Sequence, residues 1–169
     1  MQNPNDNGLL GSQLLSIPAD ILEHEVYEQY AQAGYGEVRL MHSAILRYLP
    51  PEGCRVTDLA RQARMTKQAA GYIVDSLVQH GYIERVSDPA DGRAQIVRRT
   101  AKGWELHRLA RHVVQQVLEE WTRVYGEENM QQLLSLLQDL VHRVLGIPYQ
   151  GGISVRSPGE QPEDPAEGG

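Results

Sequence analysis

The stretch TDLARQARMTKQAAGYIVDSLVQHGYIERVSDPADGRAQIVRRT, residues 57–100, decides the fold. Its pattern predicts a short helix, DLARQA, with Thr57 as N-cap, then a turn and a longer helix, KQAAGYIVDSLVQH, capped by Thr66. In the longer helix Ala70, Ile73, Val74 and Leu77 recur at helical spacing and form a stripe to bury. Gly81 closes that helix as a C-terminal glycine does. Two β-type runs follow, YIERV and AQIVRRT, separated by SDPADGR, a turn rich in Pro, Asp and Gly that predicts a hairpin. Short helix, turn, longer helix and hairpin together make a winged helix-turn-helix.

Charge gives this stretch a role. The 169-residue chain carries a formal net charge of −6, yet from Arg55 to Arg111 it holds eleven Lys or Arg against six Asp or Glu. An acidic protein that gathers its positive charge on a helix-turn-helix segment is most simply a DNA-binding protein.

Outward from the centre, the pattern is helical. A helix is predicted from Pro18 through DILEHEVYEQYAQA, broken by Gly34 and Gly36, and preceded by an apolar stretch, Leu9 to Ile17, able to pack on something. A second, GEVRLMHSAILRYL, ends at Pro50 and Pro51. On the other side, Ala101 to Tyr125 and Glu127 to Leu145 read as two helices flanking Gly126. The last carries Met130, Leu133, Leu134, Leu137, Leu140, Val141, Val144 and Leu145, a stripe too wide for a lone terminal helix, which predicts self-association. The expected division is a flexible N-terminus over 1–15, one domain over 16–145 and a disordered tail over 146–169, rich in Gly, Pro, Glu and Ser. Within the domain, 16–50 and 101–145 are dimerisation helices and 51–100 is the DNA-binding lobe. The fold class is mainly α with a small β-hairpin wing.

A recognition helix buries one face and presents short polar or basic side chains to base edges from the other. The candidates are Thr66, Lys67, Gln68, Ala69, Gly71 and Tyr72, with Asp75 farther along. Gln68 suits adenine, Lys67 suits phosphate or guanine, and Ala69 suits a thymine methyl. At the wing, Arg93 is expected at the minor groove or its phosphates, with Asp91 orienting the turn that carries it.

These residues resemble the MarR (multiple-antibiotic-resistance regulator) family. MTKQAAGYIVDSL followed by Gly81, the wing DPADGRA, and the close from Thr100 to Gly103 carry the resemblance, which spans roughly residues 20 to 145. It implies a homodimer whose first and last two helices interlock and whose winged lobes straddle a pseudo-palindromic operator. It also implies a repressor released by a small lipophilic or phenolic ligand. Two positions depart from the family pattern: Arg99 stands where Leu is usual, so a charge sits near the wing base or snorkels out, and Tyr72 stands where Arg or another polar residue is frequent.

Other classes find less support. The sequence has no G-x-S-x-G, no P-loop and no Cys/His nucleophile pattern, so no enzyme is expected. The six histidines include no i, i+4 pair, so neither metal nor cofactor is expected. Cys54 is read as a small, half-buried hydrophobe rather than a redox sensor. Tyr27, Tyr30, Tyr35, Tyr48, Trp104 and Trp121 are read mainly as packing residues, with a ligand cleft as the other use. Arg85, Arg98 and Arg111 are candidates for phosphate contacts or for ordinary surface charge. A lone cysteine, no apolar run near the ~20 residues of a membrane span and no visible signal peptide point to the cytoplasm. The competing reading is a winged-helix protein-interaction module or architectural DNA binder without an effector.

Overall fold

The structure is a computed structural model, and it describes residues 8–144, with side chains from residue 11 onward. The tail predicted to be disordered, Leu145 and residues 1–7 lie outside the described residues. The chain divides into two compact units, Met1–Val114 and Gln115–Gly169.

The first unit opens with α1 (Gly8–Gln32). This corrects the predicted start at Pro18 and the predicted flexible segment over 1–15, which is helical from Gly8 on. Pro18 is accommodated inside the helix at the cost of one ladder bond and crowding against the Leu14 carbonyl, and residues 11–20 are all exposed. A 3₁₀ turn (Leu40–His42) and α2 (Ser43–Tyr48) follow, replacing the single longer helix expected over that region. The reason is tertiary. Val38 and His42 are buried, and the His42 Nδ1 accepts the backbone N–H of Arg39 at 2.8 Å, which closes the turn ahead of the helix.

Next come α3 (Val56–Gln62) and α4 (Lys67–Gln79), the predicted helix-turn-helix. Thr57 is not the N-cap of α3. Cys54 pairs with Val97 as an isolated bridge and holds the chain extended up to Arg55, so the helix starts one residue before Thr57. Thr66 does cap α4, its hydroxyl accepting the Ala69 N–H at 3.1 Å. Gly81, at φ +75°, takes the left-handed conformation that ends the helix and returns the chain.

The hairpin is β1 (Ile83–Asp88) against β2 (Asp91–Arg99), antiparallel, with Val86 opposite Ile96, Ile83 opposite Arg99 and an irregularity at Ser87/Asp88. The strands run into the predicted turn and leave only Pro89 and Ala90 between them. Thr100 then joins the wing to α5 (Ala101–Tyr125): its hydroxyl donates to the Gly81 carbonyl at 2.6 Å and accepts the Gly103 N–H at 3.1 Å. Gly103 passes so close to the Tyr82 carbonyl that a Cβ would lie 2.0 Å from it. One aliphatic core ties these elements together, with Ile45, Leu59, Ala70, Val74, Leu77, Tyr82, Ile83, Val97 and Leu106 at or below 1% exposure.

The second unit contains the end of α5, then α6 (Glu127–Asp139) and a π-helical turn (Leu140–Val144), with Gly126 at φ +92° between the helices. Leu118 and Met130 are buried. Leu133, Leu136, Leu137, Leu140 and Val144 remain exposed, so Met130 leaves the predicted open stripe and most of the rest stays in it. Among the described residues no helix is long and apolar enough to cross a membrane.

Candidate nucleic-acid interface

The two faces of α4 separate cleanly. Ala70, Ile73, Val74 and Leu77 face the core at 8% exposure or less. Thr66, Lys67, Gln68, Ala69, Tyr72 and Asp75 are exposed, and Gly71 is partly so. Tyr72 is 69% exposed, a large aromatic left in solvent on the polar face of a helix. A Cβ added to Gly71 would meet nothing within 4 Å, so the protein itself does not require glycine there.

The cations of the candidate segment fall into two groups. Arg85 donates to Asp75 at 2.7 Å and Arg98 to its cross-strand partner Glu84 at 2.8 Å, so both are engaged within the protein. Arg61 pairs with Asp58 one helical turn earlier. Among the described residues, the side chains of Lys67, Arg93 and Arg111 have no hydrogen-bond or ion-pair partner, and all three are exposed.

Asp91 stands where the sequence placed it. Its carboxylate accepts the Arg93 N–H at 3.2 Å and so shapes the turn without occupying the Arg93 guanidinium. Sequence reasoning missed the anchor of the wing. Arg55, at the start of α3, donates to Asp88 through Nε at 2.8 Å and Nη2 at 2.6 Å, and reaches Asp91 at 3.3 Å. The Ala90 N–H and Arg55 together hold the Asp88 carboxyl below its ordinary range. No local pattern could reveal a pair 33 residues apart.

A second missed link joins the 3₁₀ turn to α4. The His42 Nδ1 is an acceptor, so its Nε2 carries the proton and donates to Ser76 Oγ at 3.1 Å. Burial pushes the His42 pKa down, which keeps the ring in this neutral state.

The fate of Arg99 is settled in favour of burial. It is 6% exposed, donates to the Leu49 carbonyl at 2.7 Å and the Leu46 carbonyl at 2.8 Å, and stacks 5.1 Å from the Trp104 ring centroid. Cys54 is half-buried, and burial, followed by Asp58 and Glu52, pushes its thiol up to about 11, which leaves it protonated and a poor nucleophile. The tyrosines pack: Tyr27, Tyr30, Tyr35 and Tyr82 form an edge-to-face series with centroid spacings of 5.5, 6.4 and 6.1 Å.

Residues 38–94, from the segment before α2 to the wing, match the MarR family. No curated protein matches the sequence. Solved structures share the fold. Streptococcus pneumoniae FabT in complex with DNA is 20% identical with a TM-score of 0.65, over 83% of this chain and 99% of that one. CouR from Rhodococcus jostii RHA1 bound to p-coumaroyl-CoA is 19% identical with a TM-score of 0.62, over 89% and 100%. The transcriptional regulator Tm0710 from Thermotoga maritima is 22% identical with a TM-score of 0.58, over 83% and 99%. Over residues 38–94 the resemblance read in the sequence is borne out, and the solved structures bear out the winged helix-turn-helix fold.

Proposed function

We propose, on the match of residues 38–94 to the MarR family, that the protein is a homodimeric transcriptional regulator, a repressor that binds a pseudo-palindromic operator. The observation that carries this reading is the surface of α4. Its apolar stripe is closed within the lobe, while Lys67, Gln68, Ala69 and Tyr72 stand exposed behind a Thr66 cap, with Arg93 unengaged on the wing. In the proposed complex α4 enters the major groove. There Gln68 reads adenine, Lys67 takes phosphate or guanine, and Thr66, Ala69 and Tyr72 line the approach. Gly71, which nothing in the protein requires, gives room for close contact. Arg93 sits on the wing at the minor groove or its phosphates, and Asp91 holds the turn.

The exposed row Leu133, Leu136, Leu137, Leu140 and Val144 is the surface proposed for a second copy. Two lobes must then sit about one DNA turn apart to occupy successive major grooves. A small lipophilic or phenolic ligand that changed their separation would release the operator. The p-coumaroyl-CoA held by CouR and the DNA held by FabT support both halves of this reading. The protein is a binding protein of the cytoplasm in this reading, with no catalytic, metal or cofactor role.

Titration against a duplex carrying the promoter region of its own gene and against a scrambled duplex tests the proposal. Preference for the promoter is expected, and log K should fall against log salt with a slope of about −0.9 for each phosphate neutralised. Light scattering at micromolar concentration should give twice the 19.0 kDa chain mass. Adding p-coumaroyl-CoA, the ligand held by CouR, to the complex probes the release step. Equal affinity for both duplexes would favour an architectural binder, and no binding would favour a protein-interaction module.

A further inference from the structure

We propose that Arg99 is a positioning residue for the wing: its buried guanidinium clamps the base of β2 to the end of α2 and thereby sets where Arg93 meets DNA. This rests on the DNA-binding reading given above.

The argument begins with what Arg99 lacks. It is almost fully buried, and among the described residues no carboxylate pairs with it. Among the described residues its buried Nε has no hydrogen-bond partner. Burial accordingly lowers its pKa from the ordinary arginine value. A buried cation with an unmet Nε–H is a poor choice for stability, since an aliphatic side chain would fill the space without desolvating a charge. The position invites such a residue, because buried Val97 lies on the same strand and Trp104 stands beside it.

What Arg99 does make is a junction of three elements. The Leu46 and Leu49 carbonyls lie in the last turn of α2 and just past it, where the helix has no further amides to satisfy them and where its dipole favours a cation. The guanidinium meets both, while its carbon stem belongs to β2 and its Cζ sits over the ring of Trp104, in the first turn of α5. A planar fork can do all of this at once, and a lysine cannot.

The rest of the hairpin shows why its base matters. Toward the tip it is tied to the start of α3 through Arg55 and Asp88, and at Val97 it is tied to Cys54. Both fix it to the segment leading into α3, and Arg85 ties β1 to α4 through Asp75. Arg99 alone among these ties fixes it to α2. Arg93 lies ~20 Å along the strand at about 3.3 Å per residue, so a tilt of roughly 6° at the base moves the tip by about 2 Å. That displacement is enough to lose a charged hydrogen bond.

The test is a double-mutant cycle on the full chain: Arg99→Leu, Arg93→Ala and the pair, titrated against the promoter duplex, with thermal melts alongside. Arg99→Leu is expected to melt at or above the parent temperature and to bind DNA about tenfold more weakly. In the Arg99→Leu background, Arg93→Ala should cost at least threefold less than it does in the parent, because a misplaced tip has little left to lose. Arg99→Lys, which keeps the charge but not the fork, should bind nearer to Arg99→Leu than to the parent. Parent-like DNA binding by Arg99→Leu would overturn the proposal while leaving the DNA-binding reading intact. So would a loss strictly additive with Arg93→Ala, since the effect would then act elsewhere. Failure of both Arg99→Leu and Arg99→Met to fold would overturn it too, making the cation a requirement of folding. A parent that bound no DNA would remove both readings together.

Discussion

Helices α4 and α6 have the same length, thirteen residues, and both are amphipathic, but their apolar faces meet opposite fates. In α4 the stripe Ala70, Ile73, Val74 and Leu77 is closed by its own lobe. In α6 only Met130 is closed, and Leu133, Leu136 and Leu137 stay 36–62% exposed. The difference separates two ways of being functional. The buried side of α4 is complete, so its polar side is free to take a partner of another chemistry. The apolar side of α6 is itself the surface left open, and burying it would stabilise by about 25 cal/mol for each Å² removed from water.

Alanine replacement on the two faces should break or sharpen this contrast. Leu77 is 1% exposed, and Leu77→Ala should destabilise the protein by about 3 kcal/mol through lost transfer energy and the cavity left behind. Thermal melts should show this loss unchanged across protein concentrations. Leu136→Ala, at a 62% exposed site, should cost less than ~0.5 kcal/mol if the face stays in water. If the face is an interface, the loss should be larger at concentrations where the parent is a dimer, and the parent's melting temperature should fall on dilution. A concentration-independent, negligible effect would remove α6 from the dimer.

The closed lobe has an acid limit, which gives the next largest effect. His107 is held down to about 4, from 6.5, by burial first and then by Arg99, Arg111 and Arg108. Its folded pKa lies below its unfolded one, so the unfolded chain takes up the proton first as pH falls. The stabilisation is therefore complete above pH 6.5 and is lost between pH 6.5 and 4. The loss should be about 2 kcal/mol, reduced from the full shift because the ring is only partly buried. Denaturant titrations at pH 7 and pH 4.5 measure it, and His107→Gln should flatten the slope. His42, also lowered by burial, adds a loss of the same sign, because protonating Nδ1 breaks its acceptor bond from Arg39.

Local signals were legible in the sequence. The Thr66 cap, the α4 stripe, the terminating Gly81 and the full extent of α5 each depend on residues within a few positions of one another, and all stand as read. Signals set by distant contacts were not. The late start assigned to α3 overlooked the Cys54–Val97 bridge, and the single helix expected before it overlooked the burial of His42 against Ser76, 34 residues away. Arg99 was recognised as a departure, but only its neighbours could decide between burial and solvent. In the proposed interface, the exposed side of α4 and the Asp91–Arg93 turn are readable by type and spacing, whereas the Arg55 anchor is hidden in a pairing across 33 residues.

The polar side of α4 and the wing give the smallest effect on stability and the clearest effect on binding. Arg93 is exposed and its guanidinium has no partner among the described residues. Arg93→Ala should therefore shift stability by less than ~0.5 kcal/mol. In a dimer its loss removes one charged contact from each of two lobes, so affinity for the promoter duplex should fall by one to two orders of magnitude, at roughly 1 kcal/mol or more per contact. Asp91→Ala should act in the same direction more mildly, because it frees the Arg93 turn and one of the two carboxylates bound to Arg55 while leaving the Asp88 anchor in place. If Gln68 reads base edges as proposed, Gln68→Ala should behave differently, narrowing the gap between promoter and scrambled duplex, since such a side chain contributes to discrimination more than to overall charge attraction. Parallel titrations of the three variants against both duplexes separate anchor, orienter and reader. Equal binding by Arg93→Ala and the parent would show that the hairpin tip does not touch DNA, and the free cation on the wing would need a protein partner instead.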